Sequence, residues 1–206
     1  MSNVLIINGY QPYEFAPGKL NTAFAERAKA FFEAQGDQVR VTTVADGYDA
    51  ETEITSHQWA DTIIMQFPVH WMATPWNLKK YQDEVYTSGM DGRLATGDGR
   101  TTDAPTDNYG LGGALKGKTY MLSVTFNAPK EAFDDPDQAF FAGASVDTLL
   151  YPTHQVANFM GLQKQPTFVA YDVMKNPQIE ADFARFETHL RDNFAKVLEL
   201  FLLPIS

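Results

Sequence analysis

Four apolar residues in a row, Val4-Leu5-Ile6-Ile7, closed by Asn8-Gly9, constrain this chain more than any other feature in it. A run without polar alternation cannot lie half exposed on a sheet. At this length it reads as a strand covered on both faces. Similar runs return at Ile63-Ile64-Met65-Gln66-Phe67, closed by Pro68, and at Tyr120 to Thr125. Covered strands need helices on both sides, which crossover connections of a parallel sheet supply. Helical spacing links Leu20, Phe24, Ala28 and Phe31, ending at Gly36, and Pro75 holds a first-turn position before Trp76, Leu78, Tyr81 and Val85. Val146 to Met160 reads as a further helix, and Phe183, Phe186, Leu190, Phe194, Val197 and Phe201 form one apolar stripe on a last one. Val39 to Val44 alternates like an edge strand, and Thr167 to Tyr171 is a final short strand. The expectation is one α/β domain over residues 1–206, with a five-stranded parallel sheet in the order 2-1-3-4-5 and helices on both faces.

Such sheets bind ligands beyond the carboxyl ends of their strands, beside the switch point. The rest of the sequence narrows what those ligands are. A formal charge of -10 repels phosphate backbones, so no nucleic-acid partner is expected. With no cysteine there is no disulfide framework, no thiolate nucleophile and no thiolate metal site, and a reducing cytoplasm is the expected setting. His57, His70, His154 and His189 lack the paired spacing of metal ligands, so no metal is expected. The apolar N-terminal run is too short for a signal peptide. The Val197 to Leu203 stretch falls far below the roughly 20 residues of a membrane span. No G-x-S-x-G elbow is present, which counts against a hydrolase.

Three loops open from the strand ends. Pro68-Val69-His70-Trp71-Met72, continuing through Ala73-Thr74-Pro75-Trp76, sets flat rings on a loop between prolines, which suits a stacked flavin ring and equally suits core filling under a loop. Thr125-Phe126-Asn127-Ala128-Pro129 offers a second wall if strand four lies beside strand three, though Asn before Ala-Pro is also ordinary turn chemistry. Ala16-Pro17-Gly18-Lys19-Leu20-Asn21-Thr22 leads into the first helix, where amide N–H groups cradle an anion and Lys19 adds charge, without a Walker A or G-x-G-x-x-G pattern. Residues 87–117 form a long loop rich in Gly, Asp, Thr and Pro, expected to serve the site. Within it Tyr109 can cap a ring or pack in the loop, and Gly110-Leu111-Gly112-Gly113 reads as a source of flexibility. His154 is a candidate proton donor or a structural histidine.

On these residues the chain resembles the modulator of drug activity B family of quinone reductases, and more distantly DT-diaphorase and other flavodoxin-like reductases. The resemblance covers nearly the whole length. It is carried by Asn3 to Gly9, Gly18-x-Leu20-Asn21, Trp71-Met72-x-x-Pro75-Trp76, Tyr109-Gly110-x-Gly112-Gly113 and Thr125-x-Asn127-Ala128-Pro129. It implies a flavodoxin-like fold and an FAD-containing, NAD(P)H-dependent quinone reductase working as a homodimer, with FMN the other flavin and NADPH or NADH the reductant. By the motif match Gly18 to Thr22 would then hold the pyrophosphate, Val69 to Met72 and Thr125 to Ala128 the isoalloxazine, with Ala16, Pro17 and Pro68 among the cofactor-binding residues, and Tyr109 would meet the cofactor; on the chemistry of their side chains Tyr109 and His154 are candidate donors to the acceptor oxygen. Where family members carry His-Ser-Asn this chain has Phe15-Ala16-Pro17, which removes a hydroxyl from the phosphate loop. At Val69 and His70 only backbone contacts carry over. Azo, nitro or flavin reduction on the same scaffold is the alternative chemistry, and a flavin carrier without nicotinamide turnover the alternative class. Phe133, Phe140, Phe141 and Tyr151 are aromatics that could cover an interface or fold back.

Overall fold

A computed structural model describes residues 1–196. The apolar runs form strands β1 (Asn3–Asn8), β3 (Thr62–Pro68) and β4 (Thr119–Thr125), and the alternating segment forms β2 (Gln38–Thr43). All pair in parallel in the order β2-β1-β3-β4, as expected. The fifth position is occupied by two pieces, β5 (Gln163–Lys164) and β6 (Phe168–Ala170), both parallel to β4. Pro166 falls in the gap, where a residue without an N–H cannot extend a ladder.

Helices α1 (Lys19–Ala34) and α6 (Ile179–Phe194) cover one face. Phe24, Ala28 and Phe32 of α1 meet Phe183, Phe186 and Leu190 of α6 over Val4, Ile6, Ile64 and Met121. Val197 and Phe201, the last positions of the predicted stripe, lie outside the described residues. The opposite face, with Leu5, Ile7, Ile63, Met65, Phe67, Leu122 and Val124, lies under α2 (Ala50–Trp59), α3 (Trp76–Ser88) and α5 (Tyr151–Phe159). Helix α2 escapes periodicity because two polar residues one turn apart, Glu53 and His57, are buried. Glu53 accepts from the Tyr81 hydroxyl at 2.6 Å and the Thr42 hydroxyl at 2.8 Å, while its carbonyl accepts from His57 Nδ1 at 2.8 Å. The helix expected over 146–160 breaks at Leu150 into α4 (Val146–Leu149) and α5.

The loop after α3 is stitched by backbone bonds, among them Thr96 N to Gly112 O at 2.8 Å and Ala114 N to Leu94 O at 2.8 Å. Its glycines permit close approach rather than looseness: a Cβ on Gly113 would lie 2.2 Å from the Met160 carbonyl carbon. Among the described residues no helix is long and apolar enough to cross a membrane.

Candidate functional site

The carboxyl ends of β1, β3 and β4 carry a polar seam on the α1 side. Ile6, Ile64 and Met121 are followed two residues on by Asn8, Gln66 and Ser123, which share one row across the sheet and are all buried. From α1, Asn21 Oδ1 accepts from Gln66 Nε2 at 2.8 Å and Asn21 Nδ2 lies 3.3 Å from Thr125 Oγ1, while Thr22 Oγ1 accepts from Asn8 Nδ2 at 3.3 Å. These contacts tie the first turn of α1 to the strand ends. Replacing Asn21 with Ala strips partners from two buried polar groups, so the unfolding free energy should fall by about 2 kcal/mol in a denaturant titration. An unchanged midpoint would dismiss the seam as a source of stability.

Helix α1 begins without a cap. Gly18 stands at its N-terminus with φ +90°, no side chain caps it, and no acidic residue lies in the first turn. Among the described residues the amides of Lys19, Leu20 and Asn21 have no acceptor, the first intrahelical bond being Thr22 N to Gly18 O at 2.9 Å. Unsatisfied amides, the positive helix end and no competing carboxylate together favour a phosphate.

Above this start two tight turns face each other. His70 and Ala73 exchange both backbone bonds, at 2.9 and 3.0 Å, around Trp71 and Met72, whose φ values of 46° and 67° make the turn type I′. Bulky residues rarely adopt that conformation, and two in a row mark a strained turn held by its surroundings. Trp71 is 94% exposed. Tyr13 and Ala16 form the second turn, at 3.1 and 3.0 Å. The two turns touch through stacked rings: Tyr13 lies 5.2 Å from His70 and 5.5 Å from Phe15, centroid to centroid. Burial pulls the His70 imidazole below its ordinary pKa and so favours the neutral ring. Tyr13, Phe15, His70, Trp71 and Trp76 wall a cavity of about 690 Å³, closed on the far side by Pro152, Thr153 and Val156 of α5. A second cavity of about 900 Å³ continues between α3 and α5 and shares Lys79, Gln82, Pro152 and Val156 with the first.

The residues picked from sequence therefore divide. Ala16 to Thr22, Pro68 to Met72, Thr125 and Phe126 converge on one edge, where Val69 N donates to Thr125 O at 2.9 Å. Asn127 is exposed beyond them and does not line the slot, and Ala128 is half-buried, its carbonyl accepting from Asp172 N at 3.0 Å. Tyr109, 70% exposed, lines the second cavity beside Phe159, with the Arg100 guanidinium 5.5 Å over its ring. His154 lines neither: both its nitrogens are engaged, by Tyr120 and Asp147. Phe133 folds back under Phe141 at 4.2 Å, whereas Phe140 and Tyr151 are exposed. Trp76, read from sequence with the Trp71 loop, does wall the slot, whereas Tyr13, Gln66 and the α5 wall escape reading by sequence. The available signal for the seam is a polar residue at or near the carboxyl end of each otherwise apolar strand.

A sequence profile of the flavodoxin-like fold family matches residues 2–193. The chain belongs to that family. This flavodoxin-like chain is 43% identical over 192 residues to the NADPH:quinone oxidoreductase MdaB of Haemophilus influenzae, covering 93% of this chain and 99% of that one. The family resemblance expected from the motifs is thereby borne out. Among solved structures, a candidate quinone reductase from Klebsiella pneumoniae shares 24% identity at a TM-score of 0.72, covering 93% of this chain and 83% of that one. General stress protein 14 of Treponema denticola, in complex with FMN, shares 22% identity at a TM-score of 0.61, covering 93% and 95%. At that identity both neighbours bear on the flavodoxin-like fold alone.

Proposed function

We propose that this oxidoreductase is an NAD(P)H-dependent quinone reductase that works with a bound flavin, FAD in the first instance. The observation that carries the proposal is the uncapped start of α1 lying beside an aromatic-walled slot at the carboxyl edge of the sheet. The residues fit the group at both ends. The amides of Lys19 to Asn21 offer donors to a phosphate, Gly18 supplies the positive φ and the close approach to Tyr10 that set the start of the helix, and the slot is of ligand size with flat walls. The 43% identity to MdaB over nearly both chains supports the choice of reductant and acceptor.

When bound, the flavin supplies the two-electron relay between reduced nicotinamide and quinone. The chain contributes placement. Lys19 and the α1 amides hold the charged end, and the type I′ turn presents the Trp71 and Met72 backbone at the ring end. Tyr109, in the adjoining cavity, is the proposed hydroxyl donor to an acceptor reaching between the two cavities. The exposed rings Phe15, Trp71 and Trp76 around the slot suit coverage by a second copy, so a homodimer is part of the proposal, with the cytoplasm as its proposed setting.

The test is a visible spectrum followed by reduction. Protein loaded with FAD is expected to show flavin absorbance that NADPH bleaches and menadione restores. A preparation retaining neither FAD nor FMN would overturn the reading. Flavin that binds but is not bleached by NADPH or NADH would make the protein a carrier instead, and a monomer mass on sedimentation would remove the dimer.

A further inference from the structure

We propose that His154 is a positioning residue that fixes how far α5 stands from the aromatic slot, and thereby how tightly the slot takes its acceptor. The occupant named here rests on the reductase reading; the clamp itself rests on geometry.

Helix α5 forms the far wall of the slot through Pro152, Thr153 and Val156, yet within it only Thr153, His154 and Ala157 are buried. Such a footing is small, and apolar contact has no direction; the far end of the helix is held by Leu115 N donating to Met160 O at 2.9 Å, which leaves its first turns, the ones that wall the slot, to be fixed by side chains. His154 supplies direction at both ring nitrogens. The Tyr120 hydroxyl, on β4 and fully buried, lies 2.8 Å from Nδ1, and burial pushes that phenol up to about 12, so it keeps its proton at neutral pH. A carboxylate only accepts, so Nε2 donates to Asp147 Oδ1 at 3.0 Å, which leaves Nδ1 to pair with the Tyr120 hydroxyl. Asp147 is itself held by Lys164 and by the Thr167 hydroxyl at 2.6 Å, on the split edge strand. The hydrogen bond from His154 keeps its carboxyl well below the usual range, so the acceptor stays ionised. One imidazole thus pins α5 to the sheet on one side and to α4 and the sheet edge on the other.

The same geometry separates this role from proton transfer to substrate. Neither nitrogen is free, and the ring borders a third hollow, with Thr148, Tyr151 and Lys164, instead of the aromatic slot. His154 acts on the slot only through the helix that carries it.

The test uses the flavin-loaded full chain and three variants. His154→Leu removes both bonds, Tyr120→Phe removes one and keeps the ring, and His154→Gln keeps an amide able to reach Asp147. In His154→Leu and Tyr120→Phe, amide hydrogen exchange in α5 should quicken about tenfold while β1 and β3 keep their protection, the scale set by leaving one buried partner unpaired. The KM for menadione should rise about tenfold with kcat and flavin content unchanged, the double variant should do no worse than His154→Leu, and His154→Gln should recover part of the loss. A fall in kcat at unchanged KM would make His154 a direct participant in the chemistry and overturn the proposal. So would unchanged exchange in α5, or exchange that quickens uniformly across the molecule. If His154→Leu does not fold, Tyr120→Phe carries the test. A wild-type chain that binds no flavin defeats the reductase reading alone, because the exchange measurement judges the clamp without it.

Discussion

A Gly18→Ala protein is expected to bind FAD about a hundredfold more weakly than the parent, close to 3 kcal/mol. Two costs add. An L-residue held at φ +90° loses roughly 1–2 kcal/mol relative to glycine. The new methyl would also lie 2.1 Å from Cδ2 of Tyr10, and moving a packed ring typically costs about 1–3 kcal/mol. The Tyr10 backbone is held by its carbonyl, which accepts from Asn77 Nδ2 at 2.8 Å, so relief falls to rotation of the ring. The free protein escapes the strain if residues 10–18 rearrange, and binding must then restore the turn, so the cost appears in affinity. Quenching of flavin fluorescence at equilibrium measures it. Unaltered affinity together with unaltered thermal stability would show that the start of α1 does not hold the cofactor.

The second large effect belongs to acid. His57 is fully buried, donates from Nδ1 to the Glu53 carbonyl, and among the described residues finds no partner for Nε2. Burial, the largest cause, lowers its pKa from 6.5 to about 4. As pH falls below 6.5 the unfolded chain takes up a proton that the folded chain refuses. Stability therefore drops with falling pH until about 4, where both states are protonated and this group adds no further loss. Across that window the loss amounts to about 3 kcal/mol. The depressed carboxyl of Asp147 works below this range and does not mask it. A His57→Leu variant, which keeps an apolar side chain and removes the orphaned nitrogen, should flatten the acid limb of a pH series of denaturant titrations. An acid limb of undiminished slope in that variant would assign the loss elsewhere.

How far the sequence can be read follows from what each segment buries. Val4 to Ile7 and Ile63 to Phe67 announce their strands because both faces are covered and every position but Gln66 is apolar. Helix α2 is silent because Glu53 and His57 face inward, so polarity and exposure no longer coincide. The helix over 146–160 reads as continuous because Leu150 is apolar, and only Pro152, at the start of the second piece, hints at the break. At the site, Gly18 and the Trp71 loop are legible because rare residues cluster at strand ends. The contact between Tyr13, Phe15 and His70 is not, since it joins turns more than fifty residues apart and leaves no periodic trace. Nor does spacing reveal that His154 points away from the slot while Thr153 and Val156 face it.

The aromatic rim has an optical consequence. Of three tryptophans in the chain, Trp71 and Trp76 border the slot, and the third, Trp59, sits apart under the Arg40 guanidinium at 4.1 Å. Light absorbed near 280 nm is therefore re-emitted mostly from the mouth of the cavity, by indoles bathed in water while it stands open. Any flat absorber that settles there darkens that glow, so the chain reports its own occupancy without a dye or a label.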